Sequence, residues 1–278
     1  MKTITIAILL MTLGSLNLAA RDAASAEAEQ KAALAAQNEA AALAPRSSLA
    51  TTDCTFPFST GTGNTLLKYC VTTNGNIVQL ETPQGVEHVA VGTIGEGYGI
   101  CDFNTNTGYF DYAGFGDSGN WNPAQVVKQT ATSVKIVRTT SDGQFTLTQN
   151  IAEVDGALPW IKITMTLKNN GEGRDAFLIR YVDVDAAGVA KNNLDTTENS
   201  AFAWNTPGPV NFGVVVQNVG KALIANSLTQ FQAAGPDPCN PVFNLHLLTN
   251  TDGSLGMEYL VELKKGASTT VITAYRGM

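Results

Sequence analysis

The stretch WIKITMTLKNNGEGRDAFLIRYVDVD, residues 160–185, decides the fold class. In its first half Ile161, Ile163, Met165 and Leu167 alternate with Lys162, Thr164, Thr166 and Lys168. A period of two makes one face apolar and the other wet, as in a half-buried β-strand. The NNGEGRD segment that follows reads as a turn, because its glycines take positive φ at little cost. Residues 177–185 then read as the return strand of a hairpin. Asp183 and Asp185, two apart, share a face of that strand, and alternation sends Arg180 to the opposite one.

Turn signals recur on both sides of this stretch. Asn74-Gly75 separates apolar runs at 66–73 and 76–82, and Asp142-Gly143 separates 133–140 from 144–152. Lys265-Gly266 separates 256–264 from 269–275. Such dipeptides between alternating runs mark tight hairpins. Shorter apolar runs lie at 88–100, 201–204, 210–217, 222–225 and 243–249, while the PDPCNP segment around Cys239 is too proline-rich for a central strand. The count is some dozen short strands, with no convincing helix, repeat or linker between residues 53 and 278. The expected fold is all-β, a single large antiparallel β-sandwich over 53–278. Its two sheets would bury Ile161, Ile163, Met165 and Leu167 against Val134, Ile136, Phe145 and Leu147.

The first 52 residues read differently. Lys2, an apolar run at 4–13 and small residues up to position 20 or 26 form a secretory signal peptide, assigned to residues 1–20. The run is short for a membrane anchor, and no later run approaches the length of a span. No cysteine follows the small residues, which argues against a lipoprotein. Residues 21–52 are an Ala-rich spacer; alanine favours helix, but across 24–45 only Leu34 and Leu43 could form an apolar stripe. The expectation is a mobile or partly helical segment ahead of a secreted domain, periplasmic or extracellular.

The chain carries 17 basic and 24 acidic residues. Removing Lys2 with the signal peptide leaves a net charge of −8, which repels phosphate backbones and makes nucleic acid a poor partner. Four cysteines remain, Cys54, Cys70, Cys101 and Cys239, an even number suited to two disulfides in an oxidising compartment. Of three pairings, Cys54–Cys70 with Cys101–Cys239 is preferred, since the first would staple the entry segment to the first strand; buried free thiols are the alternative. No CxxC spacing suggests zinc.

The segments NGNIVQLETPQGVEH (74–88), GEGYGICD (95–102), RTTSDGQFTLTQ (138–149), WIKITMTLKNN (160–170) and RYVDVD (180–185) follow one another in an order that resembles the large sandwich domains related to galactose mutarotase. The resemblance is in the rhythm of strands over residues 66–275. It implies a β-sandwich and an association with carbohydrate. Mutarotases use histidines and a glutamate as acid and base; this chain has only His88 and His246, neither in a matching context, so no catalytic residue is carried over.

Two constellations could carry chemistry. Asp183, Asp185, Asn193 and Asp195, with Asn192 and Glu198 nearby, offer the clustered oxygens that calcium requires. The run from Asp183 begins like an EF-hand loop, but Ala187 and Leu194 stand where oxygen ligands belong. The bland alternative is a solvated acidic loop with Asx turns. The second constellation is Glu96, Tyr98, Asp111, Tyr112, Asp117 and Trp121, with Asp102, Tyr109, Phe110 and Phe115 interspersed. Aromatic rings with carboxylates suit a glycan, and Glu96 with Asp111 or Asp117 could form the acid pair of a glycosidase. The alternative is that these aromatics cap the core. No GxSxG, P-loop or dinucleotide fingerprint occurs, and His246 lies in an apolar run where a sheet residue is expected. Together these features favour an exported, non-catalytic β-sandwich that binds extracellular or cell-envelope carbohydrate. A carbohydrate-active enzyme (mutarotase, lyase or glycosidase type) and a structural or assembly module are the alternatives.

Overall fold

A computed structural model describes residues 53–89, 95–205, 212–220, 225–231 (by backbone alone), 237–240 and 247–278. The proposed signal peptide and spacer, and His246, lie outside the described residues. Those described fall within one unit, Pro45–Met278.

The alternation read from the sequence becomes strand after strand. β1 (Phe56–Thr60), β2 (Leu67–Val71) and β3 (Ile77–Glu81) form a small antiparallel sheet. β4 (Gly97–Asp102), β5 (Thr107–Tyr112) and β6 (Gly116–Asp117) follow, then β7 (Gln125–Gln129), β8 (Ser133–Thr139), β9 (Phe145–Val154) and β10 (Trp160–Asn169). After β11 (Arg174–Asp183) come β12 (Lys191–Thr197), β13 (Ser200–Asn205), β14 (Gly213–Asn218), β15 (Ala225–Phe231), β16 (Leu248–Leu263) and β17 (Ser268–Gly277). Only two short 3₁₀ turns, at Gly63–Thr65 and Ala186–Gly188, interrupt the β structure of the described residues.

One antiparallel path runs β6-β5-β4-β11-β16-β12-β13-β14-β17-β10-β9-β8-β7, with β15 also on β16. The path is long enough to fold over on itself, and β16 is where it does so. Its first residues, Leu248 to Asp252, pair with β12, and the stretch from Ser254 onward pairs with β11 on one side and β15 on the other. The first layer is therefore β4, β5, β6, β11, β15 and most of β16; the second is β7–β10, β12–β14 and β17. Ile161, Ile163, Met165 and Leu167 are fully buried in one cluster with Val134, Ile136, Phe145 and Leu147, as the alternation required. From the first layer Ile100, Leu178, Met257 and Tyr259 close the same core. Each such side chain contributes about 1.5–3 kcal/mol of burial.

One expectation fails instructively. Residues 160–169 and the strand after them do not form a hairpin. β10 pairs with β9 and β17, whereas β11 pairs with β4 and β16. The intervening segment carries the chain from one layer to the other, so the two apolar faces meet across the core. Asn169 fixes this corner. Its amide donates to the carbonyls of Glu172 (2.6 Å) and Leu263 (2.9 Å), and its Oδ1 accepts from Gln144 (2.6 Å).

Both disulfides form, with the preferred pairing Cys54–Cys70 and Cys101–Cys239. The second ties the proline-rich segment to β4, where Pro238 covers Gly99 beside the Tyr112 hydroxyl.

Candidate functional site

The structure gathers five of the six carbohydrate candidates, but inside the protein. Glu96, Tyr98, Asp111, Asp117 and Trp121 are between 0 and 5 % exposed. The sixth, Tyr112, is also buried but points to the other face of β5, stacked on Phe110 and edge-on to Tyr181. A sugar cannot stack on or hydrogen-bond to side chains so enclosed, and a glycosidase pair among them would be out of reach of substrate.

What holds these acids inside is a pair of arginines. Arg180, on the inward face of β11, binds Glu96 through Nε and through Nη2 (2.7 Å), and reaches Gln149 (2.6 Å) and the Gly75 carbonyl (3.0 Å). Glu96 also accepts from Tyr275 (2.8 Å) and the Ile77 N–H (2.6 Å). Arg138, on the inward face of β8, binds Asp111 and, at 3.1 Å, Asp117, and lies 5.0 Å over the Trp121 ring. Asp111 further accepts from Asn74 (2.8 Å) and Asn76 (3.0 Å). A buried ionic group persists only if its lone pairs and protons are satisfied, and these are.

The Asn74-Gly75 turn makes this closure. It is an interior turn, since Asn74 and Asn76 are nearly inaccessible. Gly75 has φ +93°, and a Cβ there would stand 2.6 Å from the Gln149 amide nitrogen. Only glycine fits while Gln149 stays on Arg180. Burial pushes the Glu96 carboxyl up to about 7, against the pull of Arg180 and its hydrogen bonds. Burial likewise lifts Asp111 to about 6, opposed by Arg138 and reinforced by the neighbouring Asp117.

The calcium candidates do not gather at one point. Asp183 faces Ser254 on β16, whereas Leu194, beside Asp195, pairs with Leu248. Between those positions β16 passes from the second layer to the first. Asn193 accepts from the Asn250 N–H, and Asn192 caps the turn at Ala186–Gly188 through the Ala186 N–H and the Val189 carbonyl. Among the described residues no group of three or more His, Cys, Asp or Glu could hold a metal ion. Asp183 is instead 5 % exposed, with Oδ1 unpartnered. Burial, and then the charges of Asp185 and Asp252, push its carboxyl up to about 8.

An open polar cleft of about 250 Å³ lies apart from these buried acids. Asp102, Tyr109, Asn120, Asp142, Gln144 and Arg174 line it. The Tyr109 ring is buried, edge-on to Trp121 and Phe145. Its hydroxyl donates to Asp142 at 2.6 Å. Asp142 sits in the tight turn between β8 and β9, where its other oxygen accepts from Thr140 (2.5 Å) and the Gln144 N–H (2.9 Å). Arg174, at the start of β11, lies 3.1 Å from Asp102 at the end of β4. Partial burial works against the Asp142 charge, but the bonds from Thr140, Tyr109 and Gln144 outweigh it and hold the carboxyl below its ordinary range. Burial, then the contact with Asp142, raises the Tyr109 hydroxyl well above its ordinary value. Asp102 and Tyr109 belong to the aromatic, acidic stretch singled out in the sequence. Asn120 lies at the end of that stretch and Asp142 in the Asp142-Gly143 turn, but no local pattern marks these two, Gln144 or Arg174 as facing one cleft.

No family model matches this sequence, and no curated protein matches it. Among solved structures, the fold is similar to a bacterial glucoamylase complexed with acarbose, with a TM-score of 0.53 and 10 % identity. That likeness covers 84 % of this chain and 33 % of the glucoamylase, so the chain spans about a third of that protein's length. Lower scores relate it to a human-microbiome chain assigned as a kojibiose phosphorylase (0.48; 10 % identity; 80 % of this chain, 30 % of that one) and to a polysaccharide lyase (0.44; 12 %; 78 % and 33 %). At these identities the likeness to the glucoamylase establishes fold alone.

Proposed function

We propose that this chain is an exported β-sandwich that binds carbohydrate, with ligand hydroxyls received by the cleft at Asn120, Asp142, Gln144 and Arg174, which the buried Asp102 and Tyr109 hold in place through their contacts with Arg174 and Asp142. The observation that carries the proposal is the convergence of hydrogen-bonding side chains from four β-turns and strand ends on one open cleft. A carboxylate, two carboxamides and a guanidinium suit the hydroxyls of a sugar. The fold shared with a glucoamylase supports a carbohydrate ligand as analogy, as does the sandwich rhythm that resembles the mutarotase-related domains. Export rests on the signal peptide and is supported by two disulfides.

A second reading, a carbohydrate-active enzyme, is favoured by that same fold. Its accessible carboxyl group would be Asp142, since Asp102 is 1 % exposed and paired with Arg174. Glycoside cleavage needs one carboxyl protonated near neutral pH to serve the leaving group. Asp142 is held in the opposite direction, which suits binding better than acid catalysis. The test is a screen of neutral oligosaccharides, followed by calorimetry on wild type, Asp142→Asn and Arg174→Gln, with reducing ends assayed in parallel. Binding that falls tenfold or more in both variants is expected. A wild type that binds no oligosaccharide refutes the proposal, and released reducing ends establish the enzyme instead.

A further inference from the structure

The outer face of the second layer is charge-segregated over β7–β10 and β17. Lys135, Lys162 and Lys168 stand on the outward phase of β8 and β10, Arg276 on that of β17, and Lys128 pairs directly with Lys135 across β7–β8. None of the outward positions of β8, β9, β10 and β17 is Asp or Glu, in a chain with 24 acids against 17 bases. Among the described residues, none of the four lysines has an ion-pair partner. Lys128 and Lys135 face each other as like charges, an arrangement that costs stability in an isolated sheet. Lysine protects an edge strand such as β7 from aggregation, but β8 and β10 are interior strands that need no such protection.

Between the cations run rows of hydroxyls. Thr166 bonds Thr270 at 2.8 Å and lies opposite Thr148, while Thr139 bonds Thr146 at 3.1 Å in the next row. Lys162 and Lys168 are six residues apart on one strand, about 20 Å, and β7 to β17 spans four strand spacings, about 19 Å. The result is a broad sheet face carrying fixed positive charge and hydrogen-bonding hydroxyls. Its large aromatic is Trp160, with Arg276 stacked at 4.5 Å.

We infer that this face binds an anionic polysaccharide, with lysines meeting its carboxylate or sulfate groups and threonines its ring hydroxyls. Charge complementarity is the argument, since this is a positive surface on a negative protein. A lipid surface is disfavoured because threonine rows separate the lysines, and the exposed Val126 and Val127 are confined to the edge strand β7. The site is separate from the cleft and stands or falls independently of it.

The test is fluorescence anisotropy with labelled oligogalacturonate, at about 50 and about 300 mM NaCl, where screening lengths differ by more than twofold. A neutral dextran oligosaccharide, oligothymidylate and phosphatidylglycerol vesicles serve as competing probes. Wild type should bind oligogalacturonate and lose at least tenfold in affinity on raising the salt. The triple variant Lys135→Gln/Lys162→Gln/Lys168→Gln should lose at least as much, with an unchanged melting curve. The corresponding Arg triple, which keeps the charge and controls for folding, should retain binding, as should Asp142→Asn, whose defect is confined to the cleft. Absence of wild-type binding at low salt, equal binding by the Gln triple, or stronger binding to vesicles or oligothymidylate overturns the inference.

Discussion

Replacing Asp183 with asparagine should favour the folded protein more in alkaline solution than in acid. The side chain is 5 % exposed, one carboxylate oxygen has no partner, and Asp185 and Asp252 add repulsion. The folded chain therefore holds a proton on Asp183 up to about pH 8, whereas the unfolded chain releases it near 3.8. A group whose folded value is raised contributes stability that is fully present below the unfolded value and lost as pH rises through the folded one. The slope is one proton, about 1.4 kcal/mol per pH unit, or about 4 kcal/mol between pH 5 and 8 as an upper bound. Chain relaxation and water entry raise the effective dielectric and bring the expected loss to about 2 kcal/mol. Asparagine is nearly isosteric with the protonated acid and cannot ionise, so it escapes this loss. In thermal melts the advantage of Asp183→Asn over wild type should grow by about 4–8 °C between pH 5 and pH 9. Taking the difference between variant and wild type cancels the titrating groups that do not couple to Asp183, leaving those of its neighbours Asp185 and Asp252. A constant difference from pH 5 to pH 9 would refute the placement of an ionisable, unpartnered carboxyl at this position.

Three further outcomes follow from the interior. Arg138→Met leaves Asp111 and Asp117 buried without their cation and should cost about 3–5 kcal/mol in urea unfolding. Gly75→Ala forces a Cβ against Gln149 at positive φ and should cost about 1–3 kcal/mol, with Gln149→Ala in the same chain recovering part of the loss. Cys101→Ser/Cys239→Ser opens a loop of 138 residues and Cys54→Ser/Cys70→Ser one of 16. By loop entropy the first should cost about 5 and the second about 3 kcal/mol, an order that denaturation midpoints of the two variants will check.

The strands were legible because burial on one face writes itself into sequence with period two, as Ile161 to Leu167 show. Their partnership was not. A short polar turn after an alternating run looks the same whether the chain returns alongside itself or crosses to the opposite layer. What decides is the pairing of β10 with β17 and β11 with β16, contacts some hundred residues away in sequence. The same blindness misread the acids. Glu96, Asp111 and Asp117 have the composition of a ligand site, and residue type alone cannot distinguish a carboxylate facing solvent from one facing an arginine. Yet a signal was present. In β8, Arg138 continues the buried phase of Val134 and Ile136, and in β11 Arg180 continues that of Ala176 and Leu178. Gln149 does the same after Phe145 and Leu147 in β9. A guanidinium in an apolar phase has to be met by carboxylates, because an unpaired buried charge costs several kcal/mol. Two inward arginines therefore demand inward acids, and the acidic stretch at 96–117 is the place in the chain to find them. Carried one step further, the same reasoning reassigns the surface. Once those acids are withdrawn into the core, the carboxylates left for a ligand are the ones in turns, such as Asp142, and the outward lysines of β8 and β10 stand without opposing charge. Only strand pairing brings Asp142, Arg174 and Asn120 to one cleft, and only strand pairing sets Lys128 beside Lys135.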